Sequence, residues 1–117
     1  MPQKRKQQYR HLPAFILLAL AEGPIHGGAI HTDLMRRMPL YKPDTGAIYR
    51  TLQQLEKDGE VESEWDTTNA GPARRMYRLT DIGWGRLEYW KQDIEQRIVN
   101  LDYFLTTYDR ISGARKA

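Results

Sequence analysis

The apolar positions of this chain fall into helical and alternating patterns that follow one another with little between them. In "LPAFILLALAEGP", Leu12, Ile16, Leu17 and Leu20 recur at helical spacing, which predicts a helix from about Pro13 to Glu22. Pro13 suits the first turn, where its missing N–H costs no hydrogen bond, and Gly23-Pro24 stops the helix. A second helix is predicted from about Gly27 to Met38, with Ile30, Leu34 and Met38 on one face. "PLYKP" reads as a turn, because Pro39 and Pro43 forbid a continuous helix. In "DTGAIYRTLQQLEKDG", Ile48, Leu52 and Leu55 share one face. Asp44 or Thr45 can cap this third helix, and Gly59 is a left-handed C-terminal stop.

The period then changes from helical to alternating. "EVESEWDT" puts Val61, Ser63 and Trp65 on one side and Glu60, Glu62, Glu64 and Asp66 on the other. "NAGP" carries turn chemistry, and "ARRMYRLT" reads as the return strand. Thr80 or Asp81 caps a long helix running to about Tyr108, followed by a frayed tail, "RISGARKA". Helix, helix, helix, hairpin, long helix is the winged helix-turn-helix order, mainly α with a small β-hairpin. The expected parts are a basic arm over residues 1–11, the winged domain over 12–80, a dimerisation helix over 81–108 and a flexible tail over 109–117.

Composition narrows the function classes. One domain fits a chain of 117 residues. The formal net charge of +3 is compatible with nucleic acid without requiring it. The absence of cysteine excludes a disulfide scaffold and a cysteine-ligated zinc site, and fits a cytoplasmic protein. The apolar run "AFILLALA" after "KRK" invites a signal-peptide reading. Glu22, Gly23 and Pro24 end it without a small-residue cleavage site, and it is too short to span a bilayer. His11, His26 and His31 do not make a metal site: no pair has i, i+4 spacing and no acidic residue completes a set. His26 is expected to hydrogen-bond backbone in its turn. No serine–histidine–carboxylate order or phosphate loop is present, so the chain does not read as an enzyme, and no cofactor is called for.

The third helix carries the candidate chemistry. Opposite its apolar face stand Gly46, Arg50, Gln53 and Lys57, flanked by Tyr49 and Gln54, with Thr45 at the start. Arg can pair with guanine and Gln with adenine in the major groove of double-stranded DNA. Gly46 permits close approach of a phosphate to the helix start. A plain solvated face has the same composition. Tyr49, about a quarter-turn from the apolar face, can pack its ring on the core. On the hairpin, Arg74 and Arg75 beside the turn suit DNA, whereas Arg78 is placed to pair with the acidic strand. The acidic strand must then point away from the duplex. The arm adds Lys4, Arg5, Lys6 and Arg10, either as phosphate contacts or for solubility.

The series of motifs resembles the PadR family of bacterial transcription regulators. "LALAEGPIHGGAI" resembles its opening helix followed by "EGP" and "HG". "DTGAIYRTLQQLEKDGEVESEW" resembles its next block, a Gly, two residues, Tyr and a Leu-rich helix ending in Gly. "AGPARRMYRLTDIGWGRL" resembles its wing and the entry to the last helix. The chain departs from the family at Gly28, where an aromatic commonly follows "HG", and at Arg50, where a Pro commonly follows Tyr. The resemblance implies a dimeric DNA-binding repressor of the smaller subgroup with a single C-terminal helix, and the Tyr49 hydroxyl on a phosphate. Two-fold pairing would set two third helices about 34 Å apart, one DNA turn, for a palindromic operator.

The last helix supports a homodimer independently. Leu87, Trp90, Ile94, Ile98, Leu101, Leu105 and Tyr108 step by three or four throughout, an apolar stripe longer than a three-helix domain can cover. Folding back onto the first helix is the competing reading. Some family members sandwich flat aromatic ligands at the dimer centre, and by that resemblance Trp90 is the candidate effector-binding residue. Interface core is its alternative role. The other reading of the whole chain is a winged-helix protein-interaction module without DNA affinity.

Overall fold

The computed structural model describes residues 10–38, 40, 42–68 and 71–116. The expectations for the basic arm (Lys4, Arg5, Lys6), for Pro39 and Tyr41 of the first loop, for the first half of the "NAGP" turn and for the last residue of the chain lie outside them. The element order is α1 (Leu12–Ala21), β1 (Ile25–His26), α2 (Gly27–Arg37), α3 (Thr45–Lys57), β2 (Val61–Asp66), β3 (Arg74–Leu79) and α4 (Asp81–Lys116). The strands form one antiparallel sheet in the order β1-β3-β2. It is mostly helical with a small sheet and a long C-terminal helix, as the patterns predict. Two compact units divide the chain, Met1–Leu87 and Glu88–Ala117.

In the first unit, α1 is the centre of the core. Leu12, Ile16, Leu17 and Leu20 are buried, joined by Ile30 and Leu34 of α2 and by Ile48, Leu52 and Leu55 of α3. Asp44 caps α3, its carboxylate accepting the Ala47 N–H at 2.6 Å. At the other end Gly59, at φ +77°, takes the left-handed turn. The Glu60 N–H then reaches back to the Leu55 carbonyl at 2.9 Å and the Gly59 N–H to Glu56 at 3.0 Å. Two carbonyls of the last turn are thereby satisfied, and the chain is redirected into β2.

The start of α4 is fastened to this same corner. Thr80 caps it through the Gly83 N–H at 3.1 Å and donates its hydroxyl to the Gly59 carbonyl at 2.6 Å. Gly83 lies so close that a Cβ there would collide with the Glu60 carbonyl oxygen and the Leu79 side chain.

Four features add to or correct these expectations. β1 has no counterpart in the sequence patterns: two residues pair Ile25 with Tyr77 and His26 with Met76 and widen the hairpin to three strands. Trp65 does not share the burial of Val61 but is 60% exposed. β2 outruns the core, so its alternation continues beyond Val61, the buried residue of the strand. Glu60 is not on a solvated acidic face but is buried. Desolvation raises its carboxyl above the ordinary value, against the opposing pull of Arg86. Finally, α4 does not end near Tyr108 but continues through Lys116. "RISGARKA" holds no proline, and Arg115 and Lys116 sit favourably at the negative end of the helix dipole.

The second unit is helical through Lys116. Trp90 and Ile94 are half-buried, while Ile98, Leu101 and Leu105 are exposed, Leu101 by 63%. The exposed apolar surface is broader than the predicted stripe, for Val99, Tyr103, Phe104 and Ile111 are exposed as well. Phe104 and Tyr108 stack with ring centroids 6.4 Å apart. No helix among the described residues is long and apolar enough to cross a membrane.

Candidate nucleic-acid interface

Because α3 buries Ala47, Ile48, Leu52 and Leu55, its other positions are forced outward. Thr45, Gly46, Tyr49, Arg50, Gln53, Gln54 and Lys57 are all exposed, and they form one continuous face. The Arg50 guanidinium lies back over Gly46, with Nη1 3.0 Å from where a Cβ would stand. Gln54 is partly engaged, donating to Asp58 at 3.0 Å.

Tyr49 stands at the edge of this face, 39% exposed. Its ring packs on the first turn of α2, so closely that a Cβ on Gly27 would come within 2.8 Å of it. A side chain at Gly27 would have to displace this ring, which rests on the start of α2. The packing role and an outward hydroxyl coexist.

The sequence predicts that His26 bonds backbone in its turn, and the structure corrects this: the imidazole is turned to a side chain on the sheet. Its Nε2 lies 2.9 Å from the Asp66 carboxylate, bridging β1 and the end of β2. Asp66 also accepts from the Thr68 hydroxyl at 2.7 Å and backbone N–H at 3.1 Å. These bonds, Thr68 first and His26 after, hold its carboxyl down at about 2.

The three wing arginines divide. Arg78 pairs with Glu62 at 2.7 Å and Glu64 at 3.8 Å, so the carboxylates of mid-β2 are spent within the hairpin. Arg74 is exposed at the start of β3. Arg75 does not project freely: its Nε donates to Ser63 Oγ at 2.9 Å, and Ser63 donates to Glu56 of α3 at 2.7 Å. Its guanidinium carbon lies 5.0 Å from the Trp65 ring centroid. The wing is thus tied to the start of α2 through His26 and to α3 through Arg75. Neither tie has a local signature in sequence, since the partners are far apart along the chain.

Between the wing and the start of α2 lies a groove of about 670 Å³, lined by His26, Gly27, Gly28, Tyr49, Trp65, Arg74, Arg75 and Tyr77 among others.

Three helices, a small sheet with α3 packed across it and an outward basic-polar face on α3 define a winged helix-turn-helix protein. The model of the PadR-like transcriptional regulator family matches residues 16–89, and the chain belongs to this family. It is 35% identical over 81 residues to the transcriptional regulator Rv3488 of Mycobacterium tuberculosis, covering 69% of this chain and 73% of the relative. Among solved structures, a PadR-like transcriptional regulator from Bacillus cereus superposes with a TM-score of 0.72 at 25% identity, over 86% of this chain and 97% of that one. PadR of Bacillus subtilis, solved in complex with operator DNA, superposes with a TM-score of 0.63 at 25% identity. That match covers 68% of this chain but 46% of the Bacillus subtilis protein. The protein is therefore a transcriptional regulator.

Proposed function

We propose that this regulator is a homodimeric, sequence-specific DNA-binding repressor acting on a palindromic site. The observation that carries the reading is the division of α3. Ile48 and Leu52 are fully buried, while Arg50, Gln53 and Lys57 stand outward together on the opposite face. The core of this domain does not use those side chains, and they are the types that read and hold DNA. The complex of Bacillus subtilis PadR with operator DNA supports the same reading. Arg50 and Gln53 read base edges, with Thr45, Gly46, Tyr49 and Gln54 at the margins of the contact. Lys57 and Arg74 hold phosphates. Two copies joined along Leu87, Trp90, Ile94, Ile98, Leu101 and Leu105 would offer two such helices to half-sites about 34 Å apart, one turn of the duplex. Release by a flat aromatic effector held against Trp90 is the finer part of the proposal.

The test begins with sequencing the fragments the purified protein selects from a genomic pool. On the selected site, Arg50→Ala or Gln53→Ala should cost about 1–3 kcal/mol and relax preference at one base pair per half-site. Lys57→Ala or Arg74→Ala should weaken all sequences alike and flatten the salt dependence. Equal losses on selected and random DNA for Arg50 and Gln53 would overturn the base-reading role of α3. No retention of the wild type on any DNA would favour a protein-binding module.

A further inference from the structure

Trp65 lacks an explanation in the fold. A tryptophan is a large apolar surface to leave in water, and this one is 60% exposed on β2. It is nevertheless held in place. Arg75 covers one face of the indole at 5.0 Å from the ring centroid. Arg75 is itself fixed by Ser63 and, with Nη2 at 4.0 Å, by Glu56 of α3. Its Nε is committed to Ser63 and its guanidinium to the indole face, which suits Arg75 to propping a ring.

The groove beside Trp65 has a consistent chemistry. Tyr49 and Tyr77 supply further rings, Arg74 and Arg75 supply positive charge, and no carboxylate is among the described residues that line it. Where a side chain at Gly28 would stand there is open space, with no atom within 4 Å. The groove runs from the edge of α3, at Tyr49, to the wing. If α3 occupies a major groove and the wing the neighbouring minor groove, one sugar–phosphate strand of the duplex has to pass between them.

We propose that Trp65 is a DNA-contacting residue, its indole packing on the deoxyribose surface of the strand that passes through this groove, with Arg75 as the residue that positions the ring. The proposal rests on the DNA-binding reading above. Such a contact is apolar and sequence-independent, so it strengthens binding to every duplex without neutralising a phosphate.

The experiment uses the full chain and a fluorescein-labelled duplex of mixed sequence, with binding followed by anisotropy over a range of salt concentrations. Trp65→Ala should lower affinity about 5–20-fold at each salt concentration, the loss of one aromatic contact. The slope of log K against log salt should stay at the wild-type value, because no cation has been removed. Trp65→Phe should restore most of the loss. In wild-type protein labelled with 5-fluorotryptophan, the ¹⁹F resonance missing from Trp65→Phe should shift on adding the duplex. Wild-type affinity in Trp65→Ala, or a Trp65 resonance unmoved at saturation, overturns the proposal while leaving the DNA-binding reading intact. A loss accompanied by a flattened slope assigns the contact to Arg75 and also overturns it. A wild type that binds no duplex removes both.

Discussion

Leucines occur in two opposite situations in this molecule. On α1, Leu17 is 0% exposed and Leu20 2%, enclosed by α2, α3 and the sheet. On the second half of α4, Leu101 is 63% exposed and Leu105 60%. The side chain and the helical spacing are the same, and only the surroundings differ. Enclosing one leucine or isoleucine contributes about 1.5–3 kcal/mol, so the first unit gains from its own core what the second leaves unrealised at Leu101 and Leu105. We propose that a second copy of α4 realises it. The breadth of the exposed surface, with Val99, Tyr103 and Phe104 beyond the regular stripe, asks for a partner that wraps more than one line of the helix.

The largest effect should come from breaking that partnership. Ile98→Glu puts two like charges near each other at a two-fold interface, where each contact counts twice. It should yield monomers or unfolded chain and abolish cooperative binding to a palindrome. Sedimentation at micromolar concentration checks this directly. A wild-type chain that sediments as a folded monomer refutes the dimer, and with it an effector site at Trp90 that needs a facing subunit.

The same kind of truncation inside the first unit should behave differently from one on α4. Leu52, fully buried in α3, should cost about 2–5 kcal/mol when changed to Ala, through lost burial and the cavity left behind. Ile98→Ala should instead change the concentration dependence of the unfolding midpoint, since it weakens association. If both variants shift the midpoint equally at every concentration, the contrast between the two regions fails.

How much of this can be read from the chain follows from what each signal depends on. The helices are legible because Ile48, Leu52 and Leu55, or Ile30 and Leu34, repeat at a spacing only a helix uses. The caps are legible too: Asp44 is one of two candidates and Gly59 the expected stop, because both act within four residues of themselves. β1 is not, since two residues are too few to alternate. Trp65 misleads because alternation reports which side of a strand a residue is on, not whether anything lies beneath that side. "RISGARKA" reads as a frayed tail, yet its Ser112 and Gly113 each cost only about 1 kcal/mol or less in a helix. The ties that set the wing, His26 to Asp66 and Arg75 to Ser63 and Glu56, join elements through tertiary packing and leave no periodic trace.

The first turn of α4, within the first unit, should show an intermediate effect. Gly83→Ala forces a methyl group against the Glu60 carbonyl and the Leu79 side chain, and the carbonyl is backbone that cannot rotate away. Overpacking of this kind typically costs about 1–3 kcal/mol. A methyl group at Gly85 would meet no atom within 4 Å, so Gly85→Ala should be neutral or stabilising through better helix propensity. Thermal unfolding of the two variants side by side measures the difference. Equal midpoints would mean that the first turn of α4 is not held against the corner at Glu60.

The smallest effect is expected at the wing, and its signature is dependence on pH rather than size. The bonds from Thr68 and His26 lower the Asp66 carboxyl from its ordinary 3.8 to about 2. A carboxyl lowered on folding contributes stability that is present above its unfolded value and is lost as the pH falls through the folded one. Asp66→Asn should therefore lower the unfolding midpoint at neutral pH. The gap to wild type should close as the pH falls from about 3.8 toward about 2. Thr68→Val should reproduce part of this, because the Thr68 hydroxyl is the leading cause of the lowering. Glu60 works in the opposite sense, its raised carboxyl favouring the folded state at lower pH. Its contribution is common to wild type and Asp66→Asn and cancels in their difference. A gap between the two midpoints that stays constant down to the acid limit would show that the Asp66 carboxylate gains nothing from these bonds, and that the wing is held by Arg75 and the β-ladder alone.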